Sequence, residues 1–462
     1  MNMSPPDALS LTNLLAAGAG VGRAIGMADG SLILDDLADK TSLGGNFAAL
    51  EGRSIVLMAG DQLKTAAALI ELDGWARRIV LCPPDLEPRH LSAVVRDAEA
   101  DAIVYGGESE PPQVAGVALL APCALPLQPR ARKPFRRHAT EWVLLTSGTT
   151  GDPKMVVHTL ATLTGAIAPN APQAAVQNWA TFYDIRRYGG LQIFLRAVAG
   201  RGSLTLRSDG ETIDEFLIRA GVSGVTHISG TPSHWRLVLM NAAARRMDPD
   251  YVRLSGEIAD SAVIDALAKL YPRARVAHAF ASTEAGVGFE VNDGKAGFPA
   301  SLLGKRENGA FFKIADGSLT IRSDRTAFRY LGDNAPALRD LDGFVDTGDM
   351  IELRDDRCYF VGRRGGIINV GGAKVNPEEV EGVINRHAGV HASLVKARKN
   401  PITGALVAAD VVLNEGVVEA PSLKDEIIAA CARQLAPYKV PALVRFVPAL
   451  AVNASGKLAR NG

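Results

Sequence analysis

Trp142-Val143-Leu144-Leu145 is an apolar run short enough to be a buried strand, and the residues after it leave few readings open. They are Thr146-Ser147-Gly148-Thr149-Thr150-Gly151-Asp152-Pro153-Lys154, a loop with four hydroxyl residues, two glycines and a terminal lysine. Glycine admits positive φ, so successive backbone N–H groups can turn inward as an anion-binding nest. Hydroxyls and an ammonium add donors, and a polyphosphate is the ligand such donors suit best. A Ser/Thr/Gly surface turn is the plain alternative. The loop is not of the Walker A kind, because Pro153 and Val156 stand where that pattern needs its second glycine.

At 462 residues the chain is too long for one core and predicts two or more domains. Its 50 basic and 50 acidic residues balance, so neither a nucleic-acid footprint nor a membrane-surface patch is expected. Cys82, Cys123, Cys358 and Cys431 are scattered without a C-x-x-C pair and read as buried thiols of a reducing cytosol. No secretory leader pattern opens the chain and no apolar run reaches spanning length, so a cytoplasmic protein without a membrane span is expected.

Residues 54–58, 79–81 and 103–105 read as strands separated by helical spacing, including 65–75, which predicts an α/β lobe with a doubly wound, mostly parallel sheet. Arg130, Arg132, Lys133, Arg136 and Arg137 read as a solvated connector, and Asp184 with Arg186 and Arg187 as an ion-paired loop. Residues 224–232 predict a strand, a loop and then a helix; His227 alone reads as a structural histidine. After Gly362-Arg363-Arg364-Gly365-Gly366 the pattern changes. Asn376 suits an N-cap, Pro377 the first helical position, and Glu378 and Glu379 the positive helix end. Strands at 393–397 and 405–413 and a helix at about 422–435, with Ser422 and Asp425 at capping-box spacing, predict a small α+β domain. The expected division is 1–362, a hinge at 363–366, and a mobile domain at 367–462.

With Ser255-Gly256-Glu257, Phe280-Ala281-Ser282-Thr283-Glu284, Asp346-Thr347-Gly348-Asp349 and the tail Asn453-Ala454-Ser455-Gly456-Lys457 following the loop in order, the chain resembles the acyl-adenylate-forming superfamily of acyl-CoA synthetases and AMP-dependent ligases. The likeness runs from about residue 54 to 460, with an abbreviated N-terminal part. It implies that Thr146, Ser147, Gly148, Thr149, Thr150, Gly151 and Lys154 cradle phosphates. Ser255, Gly256, Glu257, Phe280, Ala281 and Ser282 would form the adenine site, Thr283 would bond a phosphate, and Glu284 would hold Mg²⁺. Asp349 and Arg363 would meet the ribose. Phe280 and Ala281 replace a tyrosine and a glycine of the family pattern; stacking survives the first change, and the second adds a methyl on the pocket side.

The resemblance further implies a reaction. Attack of a carboxylate on the α-phosphate of ATP gives an acyl-AMP and pyrophosphate, with Lys457 as the fixed cation and Mg²⁺ as the metal. Rotation about Gly365, which departs from the family's aspartate or lysine, then presents Gly371 and Gly372 to the thiol of coenzyme A. Tyr183, Tyr188, His227, Thr231, Ala281 and Ser282 are the expected acyl-pocket walls, suited to an aryl or medium-length acid. Alternatives are a standalone adenylating enzyme loading an acyl or peptidyl carrier protein, and a non-catalytic nucleotide-binding regulator. A monomer or homodimer is expected.

Overall fold

The computed structural model describes residues 10–17, 22–107, 111, 113–130, 138–146, 153–167, 176–333, 335–370, 373–400 and 404–450. Two sheets dominate among these residues. One runs in the order Arg329–Leu331, Lys154–Thr159, Glu141–Thr146, Arg78–Leu81, Ser54–Met58, Ala102–Tyr105, Leu119–Pro122; its last five strands are parallel. Alternation along these strands serves two cores. Ile55, Leu57, Ile79, Leu81 and Leu144 face one way, while Val56, Val80 and Val143 face the other beneath the helix Pro88–Asp97.

The second sheet runs Gly286–Val291, Arg275–Ser282, Tyr251–Ser255, His227–Gly230, Trp179–Thr181, Leu204–Leu206, Ala24–Met27, Gly30–Ile33, with only its outermost pairs antiparallel. The chain leaves Trp179–Thr181 for Leu204–Leu206 on one side and later returns to His227–Gly230 on the other. That is a topological switch point, the place where such sheets open a crevice at their carboxyl ends. The helices Gln62–Leu72 and Tyr188–Ala199 share the core between the two sheets, whereas Ile213–Val222, Pro232–Leu239 and Ser261–Leu270 cover the far face. Both sheets are therefore covered on two faces, as the β–α alternation predicts.

A six-stranded antiparallel sheet from Phe298–Pro299 to Arg357–Arg363 follows, then a small α+β part with its own core around Val380, Val395, Val411 and Ile427. In it the helix Pro377–Ile384 packs on the hairpin Val390–Asn400 and Gly404–Leu413, and Pro421–Gln434 lies alongside. Asn376 stands at the N-cap but makes no side-chain cap bond. The Ser422/Asp425 capping box does not form either, because the N-cap falls two residues earlier, at Ala420, with Pro421 opening the helix. The four cysteines are free and buried. Among the described residues no helix is long and apolar enough to cross a membrane.

Candidate active site

Thr146 and Lys154 face each other as register partners of an antiparallel pair, so the glycine-rich stretch closes a hairpin. Ser147, Gly148, Thr149, Thr150 and Gly151 lie outside the described residues. Strand Arg329–Leu331 pairs with the returning arm, opposite Met155 to Val157, and sets Tyr330 under the lysine. Lys154 Nζ is 5.3 Å from the Tyr330 ring centroid, and the Tyr330 hydroxyl donates to Glu284 Oε1 at 3.4 Å. Burial, reinforced by Glu284, pushes the Tyr330 phenol above its ordinary range, so it stays a donor. Among the described residues neither Lys154 nor Glu284 forms an ion pair. A cation, a ring and a carboxylate thus stand in a row beside the hairpin with both charges open to a ligand.

Thr283 is held from behind. His158, on the returning arm and fully buried, places Nε2 2.7 Å from the Thr283 carbonyl oxygen, while Nδ1 is 2.9 Å from Thr162 Oγ1. A carbonyl only accepts, so Nε2 carries the proton and Nδ1 accepts from the threonine. Burial lowers the His158 pKa to about 4 against the opposing pull of that carbonyl, which keeps the ring neutral. Ser282 Oγ accepts from Ala285 N at 3.0 Å and starts a turn that Gly286 completes at φ +76°. A Cβ there would lie 2.4 Å from the Arg325 carbonyl, so only glycine fits. The turn leaves Thr283 and Glu284 partly exposed at its tip.

The other motif residues have definite places. Tyr183 donates its buried hydroxyl to the Ser255 carbonyl at 2.6 Å, and Gly256 follows at φ +84°. Glu257 accepts from Ser233 N at 2.9 Å, a carboxylate on the positive end of the helix Pro232–Leu239. Thr231 is that helix's N-cap, its hydroxyl committed to the His234 N–H. Phe280 packs its ring on Phe360 and Phe289, with centroids 5.2 and 5.8 Å away, and keeps only partial exposure for a base. Asp349 accepts from Arg363 Nε at 3.0 Å. Asp346 is a turn residue, accepting from Ser318 Oγ and Gly348 N and pairing with Arg364 at 2.7 Å. Burial would raise its pKa, but these bonds outweigh that and lower it.

Beside this array a small cavity of about 20 Å³ lies between the helix Tyr188–Ala199 and the second sheet. Helical spacing puts Tyr188, Gln192 and Arg196 on its roof; Ser229, Arg253, Ser255 and Ala281 make the floor. Tyr188 and Ala281 are thus on the lining as expected from sequence, with Ala281 as a methyl facing Val287. Tyr183, Thr231 and Ser282 support the neighbouring backbone instead. His227 lies tilted against Trp179 and Tyr251, at the opposite end of its strand from Gly230.

A sequence profile described as AMP-binding enzyme matches residues 77–318, just over half of the chain, and one described as AMP-binding enzyme C-terminal domain matches 379–457. The chain belongs to the AMP-binding enzyme family. Among curated relatives, the 2-succinylbenzoate–CoA ligase of Salmonella typhimurium is 29% identical, over 76% of this chain and 75% of its own. The same-named ligase of Listeria innocua is 27% identical over 72% of each. A benzoate CoA ligase from Burkholderia xenovorans shares the fold with a TM-score of 0.81 at 19% identity, covering 98% of this chain and 99% of that one. An anthranilate CoA ligase crystallised with anthranoyl-AMP gives 0.81 at 17%, covering 99% and 97%.

In this AMP-binding enzyme the passage to the C-terminal part is pinned at Arg363 and Arg364, held respectively by Asp349 and Asp346. Gly365 and Gly366 come next in a 3₁₀ turn, with no atom of the described residues near the space a Cβ would take. Gly371, Gly372 and Lys457 lie outside the described residues. Sequence reasoning missed His158, Tyr330, Gln192, Ser229, Arg196 and Arg253. For the helix the signal was present: Gln192 and Arg196 recur at i, i+4 on a face otherwise apolar.

Proposed function

We infer that the protein is an AMP-forming acid–thiol ligase: it activates a carboxylic acid with ATP, releases pyrophosphate, and passes the acyl group to the thiol of coenzyme A. The observation that carries this reading is the row Lys154, Tyr330 and Glu284 beside a hairpin whose glycine-rich connection carries the expected phosphate loop, with a small cavity lined by Ser255 and Ala281 next to it. Lys154 supplies fixed charge for phosphate, and the His158-anchored turn presents Thr283. Asp349, which accepts from Arg363 at 3.0 Å, and Arg363 would meet the ribose hydroxyls on this reading.

The donor set fits a magnesium ion. Glu284 is a partly exposed carboxylate with one long hydrogen bond and no ion pair among the described residues, and magnesium takes one or two carboxylates together with substrate phosphates and water. Bound there, the ion would neutralise phosphate charge and leave this chain's residues to bind and orient the acid. The mobile domain, residues 367–462 by this reading, brings Lys457 for adenylation and Gly371 and Gly372 for thiol transfer, moving about Gly365.

ATP–pyrophosphate exchange over aryl, fatty and amino acids tests the first half, and acyl-CoA formation tests the second. Exchange with an acid followed by transfer to free coenzyme A is the expected result. Exchange without that transfer would point to a carrier protein as acceptor, and no exchange with any acid would end the ligase reading.

A further inference from the structure

Tyr330 stands between Lys154 and Glu284 on a strand that is fastened along its length. Main-chain bonds tie this strand to both neighbours: Phe328 N donates to the Val157 carbonyl at 2.7 Å, and Ala327 N donates to the Glu284 carbonyl at 2.9 Å. The residues flanking Tyr330 anchor one face. Arg329 Nη2 donates to Glu141 Oε1 at 2.7 Å, a carboxylate that also accepts from Arg78 Nε at 2.8 Å. Leu331 packs against the core beneath the helix Pro88–Asp97. Side chains alternate along a strand, so fixing Arg329 and Leu331 on one face leaves Tyr330 to project from the other. There it is the register partner of Val156 and diagonal to Lys154, within reach of a long side chain.

Each part of the tyrosine meets a different partner. The ring centroid is 5.3 Å from Lys154 Nζ, within the span over which an aromatic face attracts a cation. The hydroxyl donates to Glu284 Oε1 at 3.4 Å. Burial and the Glu284 charge raise the phenol pKa, so the group keeps its proton and adds no second anion beside the carboxylate.

The two charges themselves stay apart. Lys154 is exposed, Glu284 is partly so, and both side chains are long enough to reorient. Opposite charges so placed pair when nothing stands between them, yet no ion pair forms here among the described residues. Pairing would cancel the positive charge a polyphosphate needs from one and the negative charge a divalent ion needs from the other.

We propose that Tyr330 is a positioning residue that keeps Lys154 and Glu284 from neutralising each other. Its ring holds the ammonium for phosphate, its hydroxyl holds the carboxylate for the metal, and its bulk blocks the ion pair. This inference rests on the ligase reading for what the two charges bind, but not for their separation.

The test compares Tyr330→Leu, which removes ring and hydroxyl but keeps apolar bulk near the strand, with Tyr330→Phe, which keeps the ring. In ATP–pyrophosphate exchange, Tyr330→Leu is expected to raise KM for ATP and the half-maximal Mg²⁺ concentration by about tenfold each, the combined span of a cation–π contact and a hydrogen bond. Tyr330→Phe should return KM for ATP to within about threefold of wild type, while the Mg²⁺ concentration stays raised by about threefold. Equal shifts in the two constants of Tyr330→Phe, or no shift in either variant, overturn the proposal; should Tyr330→Leu fail to fold, the split in Tyr330→Phe decides by itself.

Calorimetric titration of ATP in EDTA onto the full-length protein separates spacing from packing. Glu284→Gln removes the carboxylate that would capture the lysine. The gain in metal-free ATP affinity that it brings should therefore be about three- to fivefold larger in the Tyr330→Leu background than in wild type, the span of a partly exposed ion pair. A tyrosine needed only for packing gives equal gains, which overturns the proposal. Should no acid support exchange, the ligase reading fails by itself and this comparison still decides the role of Tyr330. A wild-type protein that binds no ATP would end both.

Discussion

His158 donates to the main-chain carbonyl of Thr283 across 2.7 Å, and through that bond the strand leaving the glycine-rich hairpin fixes the turn carrying Thr283 and Glu284. The two residues are 125 positions apart, His158 on a strand of the first sheet and Thr283 in a turn between two strands of the second. A neutral, fully buried imidazole is a suitable link, because it can donate on one nitrogen and accept on the other without carrying charge into the core.

Replacing His158 should therefore loosen two motifs at once. His158→Ala strands the Thr283 carbonyl and opens a cavity, and a loss of about 3 kcal/mol in urea unfolding is expected, with a fall in kcat. The pH dependence follows from the sign of the shift. The folded-state pKa of about 4 lies below the ordinary 6.5, so the unfolded chain binds more protons between those values. His158's contribution is complete above pH 6.5 and declines as pH falls toward 4; His234, lowered by burial to about 4, behaves alike. His158→Gln should flatten part of the slope of unfolding free energy between pH 6.5 and 4.5; an unaltered slope would remove His158 as its source.

How much of this was legible beforehand depends on range. The strands at 54–58, 79–81 and 103–105 fall within a residue of Ser54–Met58, Arg78–Leu81 and Ala102–Tyr105, since apolar runs bounded by turns are a local signal. The Asp184–Arg186 pair was equally local. Tyr330 under Lys154, and His158 behind Thr283, were not legible, because each joins segments more than a hundred residues apart with no period to read. The pocket walls expected from sequence were aromatic faces with few charges, whereas the lining of this cavity also holds two guanidinium groups. Nothing local says that Arg253 finds Glu290 while Arg196 finds no such partner.

Glu284→Gln keeps the shape and the Tyr330 hydrogen bond but removes the charge. If this carboxylate is the protein's ligand for magnesium, the Mg²⁺ concentration giving half-maximal exchange should rise about tenfold or more, with folding unaffected. A magnesium titration superimposable on wild type would take Glu284 out of the metal site.

Ala281 presents its methyl to the pocket opposite Val287. Ala281→Leu fills space that an acyl group needs, so KM for the acid should rise by about tenfold while KM for ATP stays within about twofold, as one or two added methylenes are each felt in a packed site. Parallel increases in both constants would mean that the residue borders the nucleotide rather than the acid.

Gly365 decides whether the small domain must move. The pairs Asp349–Arg363 and Asp346–Arg364 fasten the chain just before it, so torsion can first be released at Gly365 and Gly366, where none of the described residues crowds the backbone. Proline at 365 would fix φ near −65° and restrict Arg364 as well. If adenylation and thiol transfer use one orientation, both half-reactions of Gly365→Pro should change together. If they use two, the variant is caught in whichever its ring tolerates. Adenylation, measured by pyrophosphate exchange, is then expected to survive within a few-fold, while transfer from preformed acyl-AMP to coenzyme A falls about a hundredfold. Equal effects on the two half-reactions would place the pivot elsewhere, and Gly366→Pro would be the next position to try.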